Sequence, residues 1–419
     1  MHQPFIPSTL RARKFILSQY PALGFALYRR YWLASFASVG ATQLIGLGQG
    51  WLMFELTGSA LQLGVLGAAA AIPNIAMTLV GGVIADRFDK RRVLMTTSAI
   101  ITTLLAILAW LDWSGAIEVW HLLTIVALFS LTTGIDWPTR VAIYPHLVDR
   151  SAFISAVALN SIIWQSTRMA MPAIGGIIIS FADTWVVFAL GAGGFFTMFV
   201  VISGIHVSLP EAPDHSPLQQ LKQGISYVWH TDIFRWLLTI SFVGMFFSQS
   251  YVQIMPVFSN ILETGEQGFG YLLSAGGVGS IVGTLAVGSI DNRRPLGNLM
   301  LGGAAASVGA MALFIVCINL GSFAGALFAT FLVAALSSVY MITSMTIMQV
   351  RVPDSLRGRV MGIHTMGYSL MPLGGLFLGA LAEQTSPGSA VLYSSCFYLV
   401  VVLSMWLTKP TLRSVTSER

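Results

Sequence analysis

Gly82-Val-Ile-Ala-Asp86-Arg87-Phe-Asp89-Lys90-Arg91-Arg92 is a short charged stretch set between two long apolar runs. A glycine at the end of an element permits close backbone approach. Asp86 is placed to accept hydrogen bonds from Arg87 or Arg91, and the basic residues crowd into the turn that follows. A shorter version, Gly288-Ser-Ile-Asp291-Asn-Arg293-Arg294, recurs in the second half of the chain. A second pair of motifs repeats in the same way. Met171-Pro172-Ala-Ile-Gly175-Gly176 is matched by Met371-Pro372-Leu-Gly374-Gly375. Two pairs in corresponding places are what a duplicated unit gives.

The runs between these motifs fix the class. Of 419 residues, 55% are hydrophobic and 9% charged, with a mean hydropathy of +0.76. Soluble domains are roughly 25% charged, so this surface must face lipid. The apolar segments run for about 20 residues each, which excludes a β-barrel of alternating strands and predicts membrane-spanning helices. Twelve spans are expected, near 32–54, 61–85, 93–111, 121–145, 153–181, 185–208, 236–260, 268–290, 298–318, 322–347, 360–382 and 388–408. The long polar connection, 209–235, follows span six. The chain therefore divides into a six-helix unit over 1–208, a linker over 209–235 and a second six-helix unit over 236–419. The 41 glycines suit close helix packing in lipid. Cys317 and Cys396 lie in apolar runs and form no disulfide framework. No cleaved leader is read at the N-terminus.

Charge placement tests this map. Twenty of the 22 Lys and Arg residues fall on one side, in the N-terminal segment, the even-numbered loops and the C-terminal segment. The other side carries only acids: Glu55, Asp112, Glu118, Asp183, Glu263, Glu266 and Glu383. By the positive-inside rule both termini are expected in the cytoplasm. The net charge of +5 follows from this sorting and gives no reason to invoke nucleic acid.

The stretch 82–92 resembles the signature loop between helices two and three of the major facilitator superfamily, with Asp89 where a glycine is usual. The proline and paired glycines of span five are similar to the superfamily's antiporter motif. Glu55-Leu-Thr-Gly-Ser59, Asp136-Trp-Pro138-Thr-Arg140 and Pro145-His-Leu-Val148 resemble a bacterial branch of siderophore (enterobactin-type) and macrolide exporters. The resemblance covers the whole chain. It implies two six-helix bundles and a secondary transporter, with a gating role for Gly82, Asp86, Arg87, Arg91 and Arg92 and a coupling role for an arginine in helix four, where Arg140 stands. Lys90 belongs to the same basic cluster. The competing reading of that cluster is a simple cytoplasmic anchor.

Three ionisable residues sit well inside spans: Asp136, Arg140 and Arg168. A charge at mid-bilayer costs roughly 2.5–3.5 kcal/mol on the lenient insertion scale, so all three need partners or a wet cavity. Asp136 and Arg140 are spaced i, i+4 on one face of span four, with Pro138 loosening the helix between them. Arg168 lies in mid-span five, expected to be antiparallel to span four and next to it. One reading makes Asp136 a proton-binding group tuned by Arg140 and Arg168. The other makes the three a fixed salt bridge joining spans four and five.

Polar residues in apolar helices are candidates for a substrate cavity: Gln43, Gln49, Asn160, Gln165, Gln249 and Gln253, the last two on a shared helical face. Trp51, Trp164, Met245, Phe246 and Met341 are adaptable apolar candidates. Ordinary helix packing is the alternative for each. Pro172, Gly175 and Gly176 are expected to bend span five and let a neighbour approach. His364, near the start of span eleven, fits a polar packing role. Gly277-Val-Gly279 with Gly283 lacks the preceding strand that a dinucleotide loop needs.

No P-loop, metal-ligand cluster or nucleophile-base group appears, so an enzyme is not expected and no cofactor is implied. The expected function is proton-coupled export of a bulky amphipathic small molecule across a bacterial cytoplasmic (inner) membrane, by a monomer in contact with lipid. An importer or lysolipid flippase on the same fold is the alternative.

Overall fold

The computed structural model describes residues 19–143, 146–205, 217–289, 296–413 and 415, without the side chains of 78–87, 217–222 and 354–355. The side chains of Asp86 and Arg87, Gly82's surroundings, Pro145 and the Asp291–Arg294 loop lie outside that description. Among the described residues there are helices and no strands. Lipid offers no hydrogen-bond partners, so each spanning segment must satisfy its own backbone.

The first half contains α1 (Ala26–Thr57), α2 (Ala60–Arg87), α3 (Lys90–Trp113), α4 (Val119–Ile143), α5 (Phe153–Ala182) and α6 (Thr184–Ser203). Then α7 (Pro217–His230) precedes α8 (Asp232–Val243), a π-turn (Gly244–Ser248), a 3-10 stretch (Gln249–Ile254) and α9 (Met255–Ile261). The second half continues with α10 (Gly265–Gly288), α11 (Leu296–Asn319), α12 (Phe323–Arg351), α13 (Asp354–Met366), α14 (Leu370–Gln384) and α15 (Pro387–Thr408). Eleven helical stretches among the described residues are long and apolar enough to cross a bilayer. The remaining expected span lies in α1, whose 32 residues are long enough but less apolar.

Local chemistry sets the boundaries. Gly58 ends α1 in the left-handed conformation at φ 61°. Asp89, the departure from the usual loop glycine, caps α3 by accepting a hydrogen bond from the Arg92 backbone N–H at 2.9 Å. Ser322 and Ser386 cap α12 and α15 in the same way. Part of the stretch read as a polar connection is helical: Gly224 of α7 lies against Arg359 of α13.

Spans seven and eleven differ from the continuous helices expected. Span seven passes through the π-turn and the 3-10 stretch, and span eleven through a 3-10 turn at Gly367–Ser369. Both breaks begin at a glycine under an aromatic ring. A Cβ on Gly244 would stand 3.0 Å from the Tyr398 ring, and one on Gly367 would stand 2.9 Å from Phe242. Such irregularities survive in a membrane when neighbouring protein covers them.

The two halves meet along two seams, α2 on α14 and α5 on α10. Both are built from backbone contacts that only glycine permits. A Cβ on Gly67 of α2 would lie 2.9 Å from the Pro372 carbonyl oxygen, and Gly270 of α10 meets the Pro172 carbonyl in the same manner. The two proline motifs thus occupy equivalent places in the two seams. Gly176 packs on the Glu266 carbonyl, while Gly175 faces Leu44 and Leu47 of α1. The Ala173 N–H, beside Pro172, donates to the Ser274 hydroxyl of α10 at 2.9 Å.

The seams correct one expectation. Span five does not run along span four. α5 packs on α10 and α1, and it meets α4 through Trp137 and Trp164, ring centroids 5.0 Å apart. Two glycine-bearing faces, 175–176 and 270–277, draw α5 across to the other half.

One apolar cluster runs through both halves at the end bearing the acidic loops, from Met53 and Leu63 to Phe258, Phe314 and Leu378. At the basic end each half keeps its own cluster, around Tyr28, Leu94 and Met198 in the first and around Phe234, Met300 and Val360 in the second. Polar ties lock the acidic end. Ser59 donates to Glu383 at 2.7 Å, Gln267 donates to Ser180 at 2.6 Å, and Trp51 stacks on Phe269.

Gly270→Val should therefore force the seam apart. Overpacking against backbone costs about 1–3 kcal/mol, which should appear as a clear drop in thermal midpoint in detergent. Gly193→Val, with nothing within 4 Å of its Cβ, should change the midpoint little. Equal midpoints for the two variants would refute the seam as the element joining the halves.

Candidate functional site

Inside the first half, α4 presents Asp136 and Arg140 one turn apart on one face, as an ion pair. Both are 4% exposed. The pair is held from three other helices. Thr97 of α3 donates to Asp136 Oδ1 at 2.7 Å. Arg140 Nη1 donates to the Ser38 hydroxyl of α1 at 2.7 Å. The Phe195 ring of α6 lies 5.6 Å from the guanidinium carbon. A buried ion pair repays its desolvation only when further hydrogen bonds complete it, and Thr97 and Ser38 supply them. Pro138, between the charged residues, removes one backbone donor from the helix. Gly134 below it fits against Met77 of α2, where a Cβ would stand 2.8 Å away.

Arg168 is not part of this pair. It stands at the middle of α5, exposed, with neither ion-pair nor hydrogen-bond partner among the described residues. Its backbone lies on α10, where a Cβ on Gly277 would be 2.8 Å from the Arg168 carbonyl oxygen. The hydroxyls of Tyr251 and Tyr368, both from the second half, lie within its electrostatic reach. Arg168 therefore stands on the stretch of α5 that borders the second half.

The glutamines separate likewise. Gln43, Asn160, Gln165, Gln249 and Gln253 are half-buried, and Gln49 is buried with an unpartnered Nε2. Gln249 and Gln253 share a face on an α-helix, but the 3-10 stretch has three residues per turn, which rotates them apart. Gln253 lies against Gly375 of α14. Gln249 lines a small void with Met245, Ser337, Tyr340 and Met341. Phe246 packs on Phe377 of α14. His364 is buried in α13.

In the signature loop, Arg91 reaches back to the end of α6, donating to the carbonyls of Ile202 and Ser203. A basic side chain on the last carbonyls of a helix complements its dipole. Lys90 is buried beside it. Burial, with Lys90 nearby, holds the His146 imidazole below the usual histidine range. Among the described residues no group of His, Cys, Asp and Glu is arranged to hold a metal ion. Sequence reasoning missed Ser38, Thr97 and Phe195. Thr97-Ser98 in an apolar run was a usable signal for a buried polar contact; a lone serine and a phenylalanine gave none.

Comparison with known proteins bears on the family. The staphyloferrin A transporter of Staphylococcus aureus is 26% identical over 348 residues, covering 80% of this chain and 85% of that protein. The multidrug efflux pump Tap of Mycolicibacterium fortuitum is 25% identical over 356 residues, 80% and 83% of the two chains. The enterobactin exporter of Escherichia coli is 24% identical over 413 residues, 95% and 94%. Among solved structures, a bacterial homologue of the lysosomal transporter Spinster superposes with a TM-score of 0.73 at 13% identity, over 92% of this chain and 97% of that one. The nucleoside transporter NupG gives 0.72 at 12%, over 91% and 98%. These two likenesses concern the fold alone. The family model described as transmembrane secretion effector matches residues 17–418. The duplicated helices, the glycine seams and this match agree: the chain belongs to the transmembrane secretion effector family of the major facilitator superfamily, as an integral membrane transporter and not an enzyme.

Proposed function

We propose that this transporter exports a bulky amphipathic small molecule, of the siderophore or drug type, in exchange for protons. The similarity to siderophore transporters and a multidrug pump supports the substrate class. The observation that carries the coupling is the sealed Asp136–Arg140 pair, tied to Ser38 and Thr97.

A proton on Asp136 removes the charge that Arg140 balances. Leaving one member of a buried pair uncompensated costs about 3–5 kcal/mol. A shift of that size moves a two-state equilibrium by more than a hundredfold. The bonds to Ser38, Thr97 and Phe195 deliver the change to α1, α3 and α6 at once. The halves, 1–208 and 236–419 joined by 209–235, would then rock along the glycine seams, with the 82–92 loop gating the basic end. On this reading the chain is a monomer in the bacterial cytoplasmic membrane, surrounded by lipid, with both termini in the cytoplasm.

Everted membrane vesicles with an acid lumen test the coupling directly. Wild-type protein should accumulate labelled enterobactin, and Asp136→Asn should lose at least tenfold of that uptake while it still folds and melts cooperatively in detergent, its midpoint lowered by the uncompensated Arg140. Wild-type uptake by the variant would sink the coupling role; loss of the cooperative melt would make the pair structural. Sidedness has its own measurement. Epitope tags at either terminus should be cut by protease in everted vesicles and protected in intact spheroplasts, and the reverse pattern would overturn the assigned orientation.

A further inference from the structure

We infer that Arg168 is the anchor for a negatively charged group on the transported molecule, so that the cleft between the halves selects amphipathic carboxylates, or comparable oxyanions, over neutral molecules of the same shape. This rests on the transport reading above and names the substrate class for it.

Among the described residues, Arg140 and Arg168 stand deep within spans, and they are treated differently. Arg140 is sealed, paired and hydrogen-bonded within the first half. Arg168 is exposed at mid-helix and carries no partner among the described residues. An unpaired charge at that depth persists only where it faces a wet cavity. Its surroundings say which cavity. The α5 backbone at 168–169 is pressed on Gly277 of α10, and the side chain reaches the neighbourhood of two tyrosines from the opposite half. Tyr251 belongs to that half's core, with its ring 5.9 Å from Phe314. Tyr368 is 48% exposed and donates to the Met341 sulfur at 3.3 Å. A side chain directed at lipid would not approach both.

The chemistry around Arg168 is one-sided. One turn away, the half-buried Trp164 ring packs on Trp137 and brings no charge of its own. Tyr368 adds a hydroxyl that can turn to a better acceptor than a thioether. The mid-span carboxylate, Asp136, is consumed by Arg140 and Thr97 inside the first bundle. At this level the cleft thus offers a positive charge and the Tyr368 hydroxyl, with no carboxylate beside them among the described residues. A guanidinium fork matches a carboxylate bidentately, while Met341 and Trp164 supply adaptable apolar wall for the rest of the molecule.

The test uses purified full-length protein in detergent and two probes of one shape: fusidate, a bulky steroid carboxylate, and its neutral methyl ester. Apparent affinities come from thermal stabilisation titrations. Wild type should bind fusidate at least tenfold more tightly than the ester. Arg168→Gln and Arg168→Met should bring the two probes to parity, and Arg168→Lys should keep a reduced preference, having the charge but not the fork. Two neutral variants are used so that one folded example, judged by its unliganded melt, suffices. A wild type without preference, including one that binds neither probe, overturns the inference, as does a neutral variant that keeps the wild-type preference. No gradient enters this assay. Parity of the probes with proton-driven transport intact would defeat the anion site alone. Lost proton coupling with charge-selective binding intact would defeat the coupling reading alone.

Discussion

Everything in this molecule depends on how two seams of backbone are held together in a solvent that does not push helices together. Lipid tails are as apolar as leucine, so association must come from close van der Waals contact and interhelical hydrogen bonds. The seams answer this with glycine against carbonyl: Gly67 on Pro372 and Gly270 on Pro172. Each proline also lacks the N–H that would bond the carbonyl four residues earlier. That releases the turn at Arg168 in one half and at Tyr368 in the other. The contacts that join the halves and the loosened turns that face the cleft are therefore products of the same motif, used twice.

The buried charges follow from a second constraint, the cost of ionisation away from water. Asp136 and Arg140 solve it internally, because i, i+4 spacing brings them together before any tertiary contact forms. Once together they still need their remaining donor and acceptor sites filled, and α1 and α3 supply a hydroxyl each. The result is a joint among four helices held by one buried ion pair. A pair of leucines there would hold the bundle without a charge to satisfy.

Much of this was legible in the sequence, for physical reasons. Span positions and the duplication were readable because hydropathy over about 20 residues and the repeated Pro-Gly-Gly motif are local properties. The Asp136–Arg140 pair was readable because it lies within one helix. Arg168's setting was not. Its surroundings depend on which helix α5 packs against, and that is decided by Gly270 and Gly277, about a hundred residues away. The shared face assigned to Gln249 and Gln253 failed because a 3-10 stretch replaces the α-helix there. The cause lies in Tyr398, against Gly244 at the start of the break. Ser38 could not have been singled out, since a serine in an apolar helix carries no mark of its partner.

Duplication explains where asymmetry has to be placed. Two like repeats facing each other across a cleft would present the same groups from both sides, and such a cleft would have no charge preference beyond that of one repeat. Here the residues four positions before the two prolines are Arg168 and Tyr368, equivalent in the repeats and close enough for the charge of one to act on the hydroxyl of the other. One repeat supplies a fixed cation, the other a phenol that can donate or accept. Pairing two arginines would have cost mutual repulsion at mid-membrane depth, and pairing arginine with a carboxylate would have produced a salt bridge like the one between Asp136 and Arg140. An arginine opposite a tyrosine avoids both. It leaves a positive charge on α5 without an ion-pair partner among the described residues, apart from the buried pair of Asp136 and Arg140.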